Sequence, residues 1–248
     1  MIKLSAVIIT FNEERNIVRC IDSLQEIVDE IVVVDSFSTD KTIELCQSKG
    51  VRVIQNKFEG HIQQKNFALQ QAENDWVISL DADEALTEEL KKSIIEVLKN
   101  PIENGYKFNR LTNYCGKWVR FCGWYPDTKL RLVNRNFAYW QGVNPHDKLE
   151  LTDGQKEGFL KGDLLHYSYY TKEDHYKQIE YFGKIAAQEA FKNGKRVNKL
   201  ILVGKVIAQF VKSYIFKFGI LDGLTGLRIS YRSAYATYRK YQMLSQLQ

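Results

Sequence analysis

A chain of 248 residues with 44% hydrophobic and 26% charged residues can bury a real core, which excludes a disordered or fibrous polymer and suits one large domain or one domain with a helical appendage. Its four cysteines, Cys20, Cys46, Cys115 and Cys122, make no Cys-x-x-Cys pair, and a strand pattern starts within three residues of Met1; reduced thiols and a cytoplasmic location are therefore expected. The net charge of +5 is uneven: from Lys192 onward eleven Lys or Arg face one acid, Asp222, a segment of +10 that leaves −5 on residues 1–191 and points to an anionic surface as partner.

In chain order, Leu4 to Ile9 reads as a strand and Glu13 to Leu24 as an amphipathic helix with Ile17, Cys20, Ile21 and Leu24 on one face. Glu30 to Val34 is a second strand, closed by Asp35, and Asp40 is the expected N-cap of a second helix. Val51 to Ile54 is a short third strand, His61 to Gln71 a third helix, Asp75 to Leu80 a fourth strand, and Thr87 to Lys99 a further helix. Strands apolar on both faces and separated by helices imply a parallel sheet with right-handed crossovers. Ligands on such sheets bind at the carboxyl ends of the strands. Those ends carry Thr10-Phe11-Asn12-Glu13, Asp35-Ser36-Phe37-Ser38-Thr39-Asp40 and Asp81-Ala82-Asp83, so three polar clusters should share one edge. Neither Gly-x-Gly-x-x-Gly nor a P-loop occurs.

From Gly105 to Tyr170 the pattern changes to short strands, aromatics and turns, including Lys129 to Val133, Phe137 to Trp140 and Asp163 to Tyr167, as expected of the substrate side of a cleft. The last third reads as three helices, Lys172 to Lys192, Asn198 to Phe218 and Asp222 to Leu247. Lysines at 199, 205, 212 and 217 interrupt the middle one too often for a membrane span. These helices either lie on an anionic membrane surface or simply pack, on the domain or across a homodimer interface. The basic residues are spread through amphipathic helices with no RNA- or DNA-reading motif, so no nucleic-acid partner is expected.

The strand-like Trp76 to Leu80 runs straight into Asp81-Ala82-Asp83-Glu84. Alternation along an extended chain would put Asp81 and Asp83 on the same side, where two like charges call for a cation between them. Mg2+ or Mn2+ suits such a pair, leaving its other positions to phosphate oxygens.

Together with Ser5 to Glu13, Ile31 to Thr42, Gly60, Lys65 to Ala68, Trp76 to Glu84, Lys129 to Leu132, Trp140-x-Gly142-x5-Asp147 and Gly219 to Leu227, the chain resembles the family 2 inverting glycosyltransferases with a GT-A fold. The later elements look most like the lipopolysaccharide-core glucosyltransferase branch, whose members work at the cytoplasmic membrane face. The resemblance implies an α/β, Rossmann-like, mostly parallel sheet. Residues 1–170 would be the GT-A domain, with a nucleotide-binding half at 1–100 and an acceptor half at 101–170, and residues 171–248 a basic helical extension.

The resemblance also implies site roles. Thr10, Asn12 and Glu13 would hold the nucleotide, and Asp35 would accept a hydrogen bond from the uracil edge or else cap its turn. Asp81 would face the ribose or metal-bound water, and Asp83 would ligate Mg2+ or Mn2+. Lys65 would make a phosphate or indirect contact, and Asn66 would brace the Asp81 loop. Arg131 would pair with a phosphate or hold a carboxylate within the fold. In His146-Asp147 the base position falls on Asp147, where the branch usually has a glutamate. A base is required because inverting transfer passes through an oxocarbenium-like transition state while the acceptor hydroxyl loses its proton. His166 is either a further metal or phosphate contact or a structural histidine, imidazole being no preferred ligand of Mg2+. Trp124, beside Gly123 and Pro126, is the aromatic expected to stack on the acceptor sugar, with His146 nearby.

The expected activity is metal-dependent transfer of a hexose, glucose first, from a UDP-sugar to a lipopolysaccharide-core or lipid-linked glycan. The enzyme would be cytoplasmic, or peripheral on the inner face of the cytoplasmic membrane. The rivals are a nucleotidyltransferase acting on sugar phosphates, which usually carries a Gly-rich basic loop that Thr10 to Arg15 lacks, and a catalytically inactive membrane-associated scaffold.

Overall fold

The structure, a computed structural model, describes residues 2–143 and 146–247, without the side chains of Val143, His146 and Lys199. Its elements are β1 (Leu4–Thr10), α1 (Ile17–Leu24), β2 (Glu30–Asp35), α2 (Thr42–Ser48), β3 (Arg52–Gln55), α3 (His61–Gln71), β4 (Trp76–Asp81), β5 (Glu84–Leu86), α4 (Glu88–Val97), β6 (Gly105–Tyr114), β7 (Lys117–Trp118), β8 (Asp127–Asn134), β9 (Ala138–Val143), β10 (His146–Leu151), β11 (Glu157–Tyr169), α5 (Lys172–Lys192), α6 (Lys199–Val211) and α7 (Gly223–Gln246). They form two compact units, Met1–Arg110 with Asp127–His166, and Leu111–Pro126 with Tyr167–Gln248.

The first unit is an α/β layer built on a sheet in the order β3-β2-β1-β4-β8-β6-β11-β5. β3, β2, β1 and β4 run parallel, as the both-face apolar runs predict, with Ala6 opposite Ile31 on one side and Ile78 on the other. Alternation explains why those runs are apolar throughout. Leu4, Ala6 and Ile8 pack with Ile17, Ile21 and Leu24 of α1 and with Leu90 and Ile94 of α4. Val7 turns the other way, against Ala68 and Leu69 of α3 and against Trp140 and Leu149 of the β9–β10 hairpin. α4 starts where the sequence indicates: Thr87 Oγ1 accepts from Leu90 N at 3.3 Å, a cap worth about 1 kcal/mol.

Three details depart from expectation. α1 begins at Ile17 rather than Glu13, and the amides of Glu13 and Glu14 are taken by Thr42 Oγ1 and Asp40 Oδ2. α2 likewise begins at Thr42, with Asp40 Oδ1 accepting from its amide at 3.0 Å. After β4 the added strands turn antiparallel, β8 against β4 and β6, and β5 against β11. Of these, β6 and β11 are far longer than the short segments the sequence suggests.

The second unit holds α5, α6 and α7. α5 matches its predicted span and opens with a capping box between Thr171 and Asp174. β7 pairs back on the last residues of β6 through Cys115-Gly116, both at positive φ (50° and 84°), as a two-residue hairpin demands. Tyr114, Val119, Cys122, Tyr169 and Ile229 form one core. The helix predicted over Asn198 to Phe218 is interrupted: α6 stops at Val211, a π-turn covers Lys212–Phe216, Phe218 is left-handed (φ 53°), and a 3-10 turn covers Gly219–Asp222. Ser213 explains the break, since it is buried and its hydroxyl lies 3.4 Å from the Cys122 carbonyl. Among the described residues no helix is long and apolar enough to cross a membrane.

Candidate active site

In the first unit, Thr10 ends β1 opposite Asp35 at the end of β2, so two loops leave the sheet side by side. Polar side chains tie them together. Asn12 N donates to Ser38 Oγ, Thr39 N to Asn12 Oδ1 and Glu13 N to Thr42 Oγ1, each at 2.8 Å. Asn12 is left-handed (φ 54°), a conformation that a short polar side chain tolerates. Asp35 is fully buried and accepts from Ser38 N at 2.8 Å and from the Ser38 hydroxyl, so the turn-capping role is filled. The Thr10 hydroxyl is buried without a hydrogen-bond partner among the described residues. Burial pushes the Glu13 carboxyl up to about 7, against the Asn16 amide bond, with Asp83, Asp40 and Asp81 adding repulsion. A half-buried acid with a carboxyl raised in this way can donate when protonated as well as accept.

The carboxylate pair is not on one side of an extended strand. β4 ends at Asp81, and Ala82-Asp83 form a turn into β5, so the alternation argument stops one residue short. Each aspartate instead has its own partners. Lys65 Nζ lies 3.1 Å from Asp81 and Arg131 Nη2 lies 3.1 Å from it. Burial raises the Asp81 carboxyl, but Lys65 and Arg131 outweigh it and hold the group well below the usual carboxylate range. Asp83 Oδ2 sits 3.1 Å from His166 Nε2, because β11 pairs with β5 and sets His166 opposite Glu84. Burial again raises Asp83, and His166 reverses the sign.

Lys65 does more than the sequence suggests. Its ammonium also reaches Asp147 at 2.8 Å and lies 4.3 Å from the centre of the Trp140 ring, so one buried cation bridges Asp81 and the expected base. Asn66 does not brace the Asp81 loop. Its amide pairs with both backbone groups of Trp140, donating to the carbonyl and accepting from N–H at 2.8 Å each, and so fixes β9 to α3. Arg131 takes the internal role, holding Asp81 and Glu84 at 3.1 Å each.

Two participants were missed. Glu84 is wholly buried, and Arg110 shares it with Arg131 (3.3 Å) while pairing with Asp127 at 2.8 Å. Only their long-range partners reveal them; no local spacing does. Among buried polar atoms, Arg131 Nε and Trp140 Nε1 join the Thr10 hydroxyl without a partner among the described residues.

His146 opens β10 opposite Val143, and its side chain lies outside the described residues. Trp124 belongs to the second unit, where its ring meets Tyr114 edge-on at 5.9 Å and Tyr169 at 5.6 Å.

For a divalent ion, Asp83 and His166 supply one carboxylate oxygen and one imidazole nitrogen at a single point, their side chains 23% and 16% exposed. No cluster of three or more metal-ligating side chains occurs among the described residues. Such a two-donor set would need an ion that completes its shell with phosphate oxygens and water.

Residues 5–137 match the model of Glycosyl transferase family 2. An uncharacterized glycosyltransferase of Rickettsia typhi is 31% identical over 100% of this chain and 88% of its own length. The lipopolysaccharide core biosynthesis glycosyltransferase LpsC of Rhizobium meliloti is 27% identical, covering 97% of this chain and 93% of that one. Among solved structures, Staphylococcus aureus TarS shares the fold, with a TM-score of 0.50 at 17% identity over 97% of this chain and 55% of that one. A parallel sheet whose carboxyl edge gathers Asp35 and Asp81, and a family match spanning that edge, lead to one conclusion: the chain belongs to glycosyl transferase family 2.

Proposed function

We propose that the chain transfers a hexose, glucose first, from a UDP-sugar to a lipopolysaccharide-core or lipid-linked glycan, with inversion and with a divalent metal. The catalytic region would be residues 1–170, with residues 171–248 a basic helical extension. The observation that carries the reading is the set of ion pairs in the first unit, Asp83 with His166 and Lys65 with both Asp81 and Asp147, which supports a cation-binding role for the first pair and a base role for Asp147. The likeness to LpsC, named for lipopolysaccharide core biosynthesis, supports the acceptor class.

In this reading the loops at Thr10 to Glu13 and Asp35 receive the nucleoside, Asp81 faces the ribose, and Asp83 with His166 holds Mn2+ or Mg2+. The ion supplies Lewis-acid neutralisation of the departing diphosphate. Lys65, whose ammonium lies between Asp81 and Asp147, would turn to a donor phosphate. Asp147 takes the proton of the attacking acceptor hydroxyl, a contribution of about 10²–10⁴-fold. Trp124 and His146 are the proposed acceptor contacts.

Titration calorimetry of UDP with and without Mn2+, repeated on Asp83→Ala, tests the reading. Metal-dependent binding that Asp83→Ala abolishes supports it. Binding of another nucleotide in place of UDP redirects the donor, and silence from every nucleotide overturns the transferase mechanism at this site.

A further inference from the structure

Within the second unit, Ile215, Phe216, Phe218, Ile220, Leu221 and Leu224 stand between 56% and 73% exposed, all within ten residues. Soluble surfaces scatter such side chains singly; a run of six large apolar groups on one turn marks an interaction site.

The turn that carries them is not loose. The Ser213 hydroxyl, buried, accepts from Ser230 Oγ at 3.0 Å and lies 3.4 Å from the Cys122 carbonyl, and Cys122 N donates to Lys217 O at 2.9 Å. Gly219 and Gly226 meet so closely that a Cβ on Gly226 would lie 1.7 Å from the Gly219 carbonyl oxygen. Close packing beneath the turn therefore holds the apolar side chains outward, Phe218 even in a left-handed backbone conformation (φ 53°).

Charge decides what covers them. Lys212, Lys217 and Arg228 are exposed among the apolar groups, and Asp222, the single acid from Lys192 onward, is occupied by the Phe121 amide at 2.9 Å. Beside the turn, a groove of about 480 Å³ is lined by Leu221, Leu224, Asp222 and Thr225 together with Lys117 and Trp118 of β7, which adds an ammonium and an indole to the same face. An isologous pair of chains would bring two such cationic faces together, a repulsive arrangement. Apolar side chains ringed by lysine and arginine with a tryptophan at the margin suit the interface of an anionic bilayer.

We propose that this face docks the protein on an anionic lipid surface, with the turn at 215–224 entering the headgroup region and Lys212, Lys217 and Arg228 pairing with lipid phosphates. The docking rests on the reading above only for its purpose, which is delivery of the enzyme to a membrane-borne acceptor. Vesicle flotation needs no donor and UDP titration needs no lipid, so either can fail without the other.

The test is flotation of the full chain with vesicles of phosphatidylcholine alone or mixed with phosphatidylglycerol, at low and high salt. Two triple variants are compared, Phe216→Ser/Leu221→Ser/Leu224→Ser and Lys212→Gln/Lys217→Gln/Arg228→Gln, with circular dichroism confirming their folding. Wild type should float only with phosphatidylglycerol and less at high salt. Each apolar group buried in lipid is worth roughly tenfold in affinity and each cation roughly fivefold, so each triple variant should lose about 100-fold or more. Three results would overturn the proposal: wild type that stays with the protein fraction, variants that float as well as wild type, or a wild-type dimer by light scattering that the apolar variant makes monomeric.

Discussion

Arg131→Met is the sharpest test of the ion network in the first unit. The guanidinium is 4% exposed and lies 3.1 Å from both Asp81 and Glu84. Methionine fills much of the volume but leaves Glu84, wholly buried, with Arg110 at 3.3 Å and the Asp81 amide at 3.0 Å as its partners among the described residues. Arg110 is already shared with Asp127, and Asp81 keeps Lys65. Breaking a buried pair costs about 3–5 kcal/mol; the retained partners place this case near about 3 kcal/mol. For a chain of this size that lowers Tm by about 6–12 °C, and urea unfolding should show a matching fall in midpoint. Arg131→Met/Glu84→Gln, which removes the stranded charge, should recover about 1–2 kcal/mol. The sign with pH is fixed too. Asp81 has its carboxyl depressed in the fold, so it contributes stability above its unfolded value of 3.8 that is lost as pH falls through the lower folded value; the gap between wild type and Arg131→Met should narrow in acid. A single variant within about 1 kcal/mol of wild type, or a double variant as unstable as the sum of the singles, would refute the reasoning.

His175, 6% exposed among Tyr114, Trp124 and Tyr169, is pushed down to about 4 by burial and by Arg232. Its contribution, up to about 3 kcal/mol, is present above the unfolded value of 6.5 and lost as pH falls towards 4, so His175→Phe should flatten the stability profile there, measured by urea unfolding at stepped pH. Gly226→Ala should cost at least about 2–3 kcal/mol, since its methyl meets the Gly219 carbonyl oxygen, whereas Gly204→Ala, inside α6 with nothing within 4 Å, should stabilise by about 0.5–1 kcal/mol; thermal melts of the pair must move in opposite directions. Cys115 is exposed while Cys20, Cys46 and Cys122 are buried, so a thiol reagent should label one cysteine quickly in the native protein and the rest only on unfolding.

The parallel half of the sheet was legible because its strands are buried on both faces and therefore read as unbroken apolar runs. α3 and α5 fell on their predicted residues for a related reason: period and punctuation agree, with Gly60 before the first and Thr171 capping the second. β6 and β11 were not legible at their true length. Gly105–Tyr114 reads Gly-Tyr-Lys-Phe-Asn-Arg-Leu-Thr-Asn-Tyr, and a register shift at Tyr106/Lys107 breaks the alternation that would betray a strand. The break after α6 was invisible as well. Val203, Ile207, Phe210 and Tyr214 keep helical spacing straight through it, and only the buried bonds of Ser213 divert the backbone.

The site divides along the same line between local and distant information. Thr10, Asp35, Asp81 and Asp83 could be placed from sequence because each terminates or directly follows a strand whose hydrophobic pattern is unambiguous. What those groups contact is set by elements far off in the chain: Lys65 meets Asp147 across 82 positions, and Asn66 meets Trp140 across 74. These two adjacent α3 residues have opposite duties. Asn66 spends its amide on the β9 backbone, which holds the hairpin bearing Asp147 against α3, and Lys65 then reaches that hairpin's carboxylate and Asp81 at once. A lysine in that place differs physically from an arginine: a point charge on a flexible stem can turn from one anion to another, whereas a planar fork holds two in fixed geometry. The chain already has such a fork in Arg131, clamping Asp81 to Glu84. The network therefore pairs one rigid cation that clamps Asp81 to Glu84 with one adaptable cation shared between Asp81 and Asp147, and of the two it is the lysine whose stem can turn.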